Sequence, residues 1–373
     1  MTVRLRYDEE HALLRDEARR WLAERVTPAQ LRRLAGDARG DDPAWWSQLG
    51  ELGWTGLVVP EKCGGAGFAA VHLALIAEET GRKLLPSPLL PTLLAAKLIE
   101  FAGSDAQRER WLPRIASGQA IASVAHVEPS GAWDARATTC ALSGARVRGQ
   151  KAHVWAAPSA ALFVAPARDA TNGAMRIIVV EANARGVRVQ AESVLDASRR
   201  QGRVDFEDAA CEPLAGDADA AWSAWSSWAQ TALAAEMAGG ADAALAMTAS
   251  YAQTRVQFDR PIGSFQAIKH PLVNVLIAVE QLRSLVYAAA SALDAGDGAA
   301  ALLARIAKAA ASETYPFACS RAVQFHGGYG FTEDCDAHLY LRRALASRPA
   351  FGDAREQRAA IAGALLDSGA ELP

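Results

Sequence analysis

A middle stretch in which apolar and polar residues alternate at short period lies between two stretches of long helical period. This change of period constrains the fold more than any single motif. From about residue 121 to 215 the chain offers short β-type runs, IASVAHVEP, TTCALSGARVRGQKAHVW, ALFVAPAR, MRIIVVEA, GVRVQAE and RQGRVDFEDA, separated by Gly, Pro, Asp and Asn. Their spacing predicts a small antiparallel barrel or sandwich. Residues 5–120 read as helices instead. DEEHALLRDEARRWLAERV sets Leu13, Leu14, Ala18 and Leu22 on one face; PAWWSQLGELGW, AAVHLALIAEETGRKL (ended by Gly81) and LLAAKLIEFAG (with Gly103 as its cap) follow. Beyond residue 217 four long helical stretches, 219–256, 264–294, 298–326 and 335–347, and a last one from 354 predict a bundle. The expected domains are therefore 1–120 all-α, 121–216 β and 217–373 helical bundle, an α+β chain. In AWSAWSSW a helix aligns Trp222, Trp225 and Trp228 in one stripe, which reads as core.

Composition narrows the function. The formal net charge is −3, with no basic tract, so nucleic acid is not an expected partner. The N-terminal segment carries charge from the start and lacks the apolar run of a signal peptide. The most apolar stretch picked out, LLPSPLLPTLLAAKLI, holds three prolines and is too short for a bilayer, so no membrane partner and a cytoplasmic location are expected. Five scattered cysteines without CxxC spacing, and histidines without HxxxH or HExxH pairs, give no expected metal site.

Two segments look chemical. TRVQFDRPIGSFQAIKH turns at Pro261 and Gly263 between helices and gathers Arg255, Arg260 and Lys269, a corner that suits a phosphate or an acidic partner, or that simply connects two helices in water. VQFHGGYGFTEDCDAHLYLRR runs into Gly327, Gly328 and Gly330, where a flat ligand or another backbone can come close. It is not a phosphate loop of the Walker type, since no Gly-Lys-Ser/Thr follows.

Taken in order with LGELGWTGLVVPEKCGGAGF, IAEETGR, WLPRIASGQ, AHVEPSGAWD and GQKAHVW, these segments resemble the acyl-CoA dehydrogenase family over nearly the whole chain. The resemblance implies an N-terminal helical domain, a middle β-domain and a C-terminal four-helix bundle, a homo- or hetero-tetramer, FAD as cofactor, an acyl-CoA thioester as substrate and an electron-transfer flavoprotein as acceptor. In this chemistry a carboxylate takes the α-proton and flavin N5 the β-hydride. The resemblance gives Arg255 to the FAD pyrophosphate, with Phe258 and Gln266 beside the cofactor; Gln324, Gly327 and Gly328 match residues along the ADP half of FAD from a neighbouring subunit. Phe258 reads equally as core packing.

The chain departs from the family pattern twice. At the flavin ring, Val127 and Trp155 stand where the family commonly has threonines, so these cofactor positions lack hydroxyls, with His126, Ser130 and His153 close in sequence. The family's Glu in a Tyr-Glu-Gly-Thr turn falls on Phe351, and its alternative location on the first bundle helix falls near Ala229-Gln230; neither is an acid. Asp353, two residues past Phe351, is the first candidate base, and it also reads as an N-cap for the helix that follows. Glu236, roughly two helical turns beyond the alternative location, is the second. The expected function is FAD-dependent α,β-dehydrogenation of an acyl-CoA in fatty acid or steroid catabolism, with a related non-identical subunit as a natural partner. A flavin oxidase or monooxygenase, and a non-catalytic partner subunit, remain open alternatives.

Overall fold

The protein is described by a computed structural model over residues 9–367; the ends of the expected first and third domains, residues 1–8 and 368–373, lie outside the described residues. Six helices come first: α1 (Glu9–Arg25), α2 (Pro28–Ala35), α3 (Pro43–Glu51), α4 (Ala70–Arg82), α5 (Leu89–Ala102) and α6 (Asp105–Ala116). Eight strands follow: β1 (Ala122–Val124), β2 (Ala141–Ser143), β3 (Arg146–Trp155), β4 (Leu162–Asp169), β5 (Met175–Glu181), β6 (Val187–Ala191), β7 (Gln201–Ala210) and β8 (Glu212–Pro213). Then come α7 (Ala218–Thr254), a hairpin of β9 (Val256–Gln257) and β10 (Arg260–Pro261), α8 (Gln266–Asp294), α9 (Ala300–His326), α10 (Ala337–Ser347) and α11 (Ala354–Ala362). These elements fall into two compact units, one around the sheet (32–69 and 86–226) and one around the bundle (1–31, 70–85 and 227–373).

In the sheet unit the strand order is β6-β7-β3-β2-β4-β5-β8, with β1 also beside β4. Most ladders are antiparallel, as the short runs predict, but β1 and β2 each pair parallel with β4, which makes the sheet mixed. Alternation along the strands sends Val147, Val154, Phe163, Ile178, Val180, Val204 and Phe206 into one buried cluster. Strand β3 carries a bulge between Lys151 and Val154, where His153 takes a left-handed φ of 54° and its side chain is exposed. Helix ends around the sheet are closed locally: Asp42 caps α3, and Ser104 with Gln107 forms a capping box on α6. Of the tryptophan stripe, Trp222 and Trp225 are buried, and Trp225 Nε1 donates to Leu94 O at 2.8 Å.

The bundle unit is set by a backbone-to-backbone crossing of α4 and α7. A Cβ on Gly81 would lie 2.0 Å from Glu236 O, and one on Gly239 would lie 1.8 Å from Glu78 O. Gly81 therefore does not end its helix as the sequence reading expected; α4 runs through it to Arg82, and the glycine is there because another helix leaves no room for a side chain. Asp294, the last residue of α8, caps α4 from a distance in sequence, its Oδ1 accepting from Ala70 N at 2.6 Å and its Oδ2 from Val71 N at 3.1 Å. Charge ties the same helices further: Arg82 pairs with Asp242, Glu78 and Glu79, and Arg283 Nε donates to Glu78 at 2.9 Å. Among the described helices α8 is long and apolar enough to cross a bilayer, a longer apolar segment than the one picked out from sequence. Here it is a bundle helix that buries Val275, Val279, Leu282 and Val286 along one face.

Candidate active site

The two β-domain motifs meet around a buried ion pair. Lys151 Nζ donates to Glu128 Oε1 at 2.8 Å, to Thr138 Oγ1 at 3.0 Å and to Pro166 O at 2.9 Å. The same carboxylate accepts from Thr139 N and Cys140 N as well as from the Thr138 hydroxyl. Burial opposes ionisation of Glu128, but the Lys151 charge and the hydrogen bonds from Lys151, Thr138 and Thr139 outweigh it and hold the carboxyl far below its ordinary range. Ala152 N donates to Val127 O at 2.9 Å, so the two segments are also joined through their backbones. The sequence shows both motifs but does not by itself pair them. An acid in one motif and a lysine in the other was the available signal.

Val127 is buried and carries no polar group. Trp155, at the end of β3, lies under the Arg199 guanidinium, 4.4 Å from the ring centre. His153 turns away from the sheet core, with Nδ1 3.0 Å from Glu192. His126 packs against Trp133, Trp222 and Trp225 with ring centres 5.2–5.7 Å apart, and burial pushes its imidazole down to about 3, so it is neutral at neutral pH.

In the bundle unit the two glycine-containing segments come together at one end. Arg255 continues α7 into the β9–β10 hairpin, whose two-residue turn sets Phe258 and Asp259 at φ 55° and 61°. Phe258 is 86% exposed, so it is not the core residue the sequence allowed; its edge meets the Phe265 ring at 6.0 Å. Arg255 and Gln266 are exposed. Tyr251, one turn before Arg255, stacks on His326 at 4.4 Å, which brings the hairpin near Gln324 and the GGYG turn. Here the glycines differ: Gly330 abuts Val323 O, whereas a Cβ on Gly328 would meet nothing. The chain's own packing does not require glycine at 328.

The two candidate bases are held differently. Asp353 is the N-cap of α11 in a capping box: its Oδ1 accepts from Glu356 N at 2.9 Å, and its own N donates to Glu356 Oε2 at 2.9 Å. Glu236 is buried on α7 and its Oε1 accepts from the buried Arg343 Nη1 at 2.6 Å. Phe351, at the position the resemblance gives the catalytic Glu, is buried with a left-handed φ of 57°.

A two-unit chain with a mixed, curled sheet, an antiparallel bundle and these motifs defines an acyl-CoA dehydrogenase-type oxidoreductase. The family models for the acyl-CoA dehydrogenase N-terminal and C-terminal domains match residues 8–119 and 227–366. The chain belongs to the acyl-CoA dehydrogenase family, oxidoreductases acting on CH–CH bonds. It is 34% identical over 356 residues to the acyl-CoA dehydrogenase IpdE2 of Mycobacterium tuberculosis, covering 93% of this chain and 95% of that one. Among solved structures it is similar to the steroid ACAD Tcur3481-Tcur3483, with a TM-score of 0.89 at 30% identity over 97% of this chain and 99% of that one. It is also similar to the ChsE4-ChsE5 complex from Mycobacterium tuberculosis, with a TM-score of 0.88 at 28% identity over the whole of both chains.

Proposed function

We propose that the chain serves FAD-dependent α,β-dehydrogenation of an acyl-CoA thioester, beside a related, non-identical subunit. The observation that carries this reading is a contrast between two sets of residues, each within its own unit, to which the resemblance gives FAD contacts. Arg255 and Gln324 are exposed and Gly328 is open, as a diphosphate and a ribose require. Val127 and Trp155 offer no hydroxyl where a flavin ring would look for one, and Arg199 covers the Trp155 indole. The residues present therefore fit the ADP half of FAD, with Arg255 at the pyrophosphate and Gln324 and the Gly327-Gly328 backbone along the ribose and adenine; Phe258 and Gln266 lie in the same segment as Arg255. Ring contacts are the part a partner subunit would supply.

Bound FAD supplies the hydride acceptor of such a reaction. On the proton side, Asp353 is this chain's candidate base. Its Oδ1 is engaged in the cap, while its Oδ2 takes no part in the capping box and can receive the α-proton. Glu236 ranks second because it would have to leave Arg343, and a buried arginine stripped of its partner is costly. The name of one solved relative, a steroid ACAD, supports a bulky substrate of the steroid acyl-CoA class, and the family resemblance implies an electron-transfer flavoprotein as acceptor. The second reading, a non-catalytic partner subunit, is favoured by one observation: buried Phe351 stands where the family carries its Glu.

The test is to purify the chain alone and co-expressed with a related acyl-CoA dehydrogenase chain, measuring flavin per chain and acyl-CoA-dependent reduction of ferrocenium. The expected result is substoichiometric flavin alone and full flavin with turnover in the complex. A fully flavinylated homo-oligomer that turns over overturns the partner, and colourless protein in both preparations overturns the flavin chemistry.

A further inference from the structure

About a third of the way along α9 a lysine is buried to zero exposure with no ion pair among its hydrogen bonds. Lys308 Nζ donates to Ser312 Oγ at 2.6 Å, Arg348 O at 3.0 Å and Gly352 O at 3.0 Å. Ser312 Oγ itself donates to Arg348 O at 3.2 Å. From the other side Gln357 Nε2 donates to Phe351 O at 2.6 Å, and Arg305 Nη1 donates to Gln357 Oε1 at 3.2 Å. Three carbonyls at the end of α10 and in the turn after it are thus satisfied by side chains beneath them, where helix ends normally leave such groups to water.

This fastening has a cost that packing alone does not explain. An ammonium is an expensive core filler, and a methionine or leucine would fit the alanine-rich helix without it. Burial pushes Lys308 down to about 7, against the charges of Asp353, the cap of α11, and Glu356 on its first turn, which raise it. Nor is the turn relaxed: Phe351 holds a left-handed φ of 57°, a conformation that bulky residues keep only where the surroundings over-determine it.

We propose that Lys308 is a positioning residue, which ties the Arg348 and Gly352 carbonyls to α9 and so fixes the turn that presents Asp353. The proposal rests on the reading of Asp353 as base. The fastening acts on the backbone on both sides of Phe351, and the next residue after Gly352 is Asp353 itself. A loosened turn would leave the cap free to form while its carboxylate wandered, and misplacement of about 1 Å is enough to lower a rate by orders of magnitude.

The test uses the full chain in its flavin-loaded complex, as wild type, Lys308→Met and Ser312→Ala, the second keeping the ammonium should the first fold poorly. Hydrogen exchange of peptides covering 348–357 is compared with peptides from β3 and α8, and kcat and KM are measured on the same samples. The expected result is exchange about tenfold faster, confined to 348–357, with kcat lowered by a similar factor and KM unchanged. Unchanged protection of that segment, or faster exchange spread evenly through the bundle, overturns the role of Lys308 whatever the activity. A loosened turn with unchanged kcat overturns Asp353 as the base instead, so the two failures are distinguishable.

Discussion

Lys151 reaches Glu128 across 2.8 Å, joining two sequence motifs 23 residues apart inside the sheet unit. Both side chains are buried, so the pair is a commitment: removing one partner leaves an uncompensated charge. Lys151→Met or Glu128→Gln alone is expected to cost about 3–5 kcal/mol, and the double variant less than the sum of the two. Urea unfolding of the three variants checks this.

The same pair sets an acid limit. Because the Glu128 carboxyl is depressed in the folded chain, its contribution is fully present above the ordinary value of 4.5 and declines progressively as pH falls from there toward the far lower folded value. Stability measured between pH 7 and pH 3 is expected to decline more steeply in wild type than in the double variant Glu128→Gln, Lys151→Met. Parallel curves would remove Glu128 as the cause.

Much of this arrangement was legible in the sequence, and the failures have a common physical origin. Helical period located α7 to α11 to within two or three residues, because their apolar spacing runs long with few breakers, although α7 is buried on every side from 229 to 241. Strands β1 to β7 were legible as short β-type runs set off by Gly, Pro, Asp and Asn, but β8 is two residues long and leaves no pattern. Gly81 read as a stop because its real constraint, the Glu236 carbonyl, is distant in sequence. Lys308 was invisible for the same reason: in ARIAKAAAS it looks like any solvated helical lysine. For the candidate site, family motifs name residue types, whereas a side chain that holds another segment's backbone leaves no mark in the sequence.

Asp353 allows a clean separation of cap from chemistry. Asparagine caps a helix about as well as aspartate but cannot take a proton, so Asp353→Asn is expected to keep the wild-type melting temperature while turnover falls by about a thousandfold or more. Asp353→Ala is expected to lose about 1 kcal/mol in addition. Calorimetry and steady-state kinetics on the flavin-loaded complex give both numbers. Retained turnover in Asp353→Asn returns the residue to capping alone.

Asp294 makes a related prediction on stability. Its two oxygens accept the first two amides of α4 from the far end of α8, so Asp294→Ala removes a cap and a link between helices together. A loss of about 1–2 kcal/mol is expected, with faster exchange at Ala70 and Val71 and little change in the sheet unit. Asp294→Asn, with one acceptor oxygen for two amides, should recover only part of it.

Gly81 and Gly328 form the sharpest contrast, because one is required by this chain and the other is not. Alanine at 81 drives a Cβ into the Glu236 carbonyl, and α4 and α7 must separate; a loss of about 1–3 kcal/mol is expected. Alanine at 328 meets no atom of this chain, so its stability without flavin should stay within about 0.5 kcal/mol of wild type. If the glycine is there for a ligand's approach, the same Gly328→Ala variant must bind flavin more weakly, read as flavin retained after gel filtration of the complex. Wild-type flavin retention in Gly328→Ala would mean that the cofactor does not approach this turn, and the ADP half of the proposed site would have to be sought elsewhere.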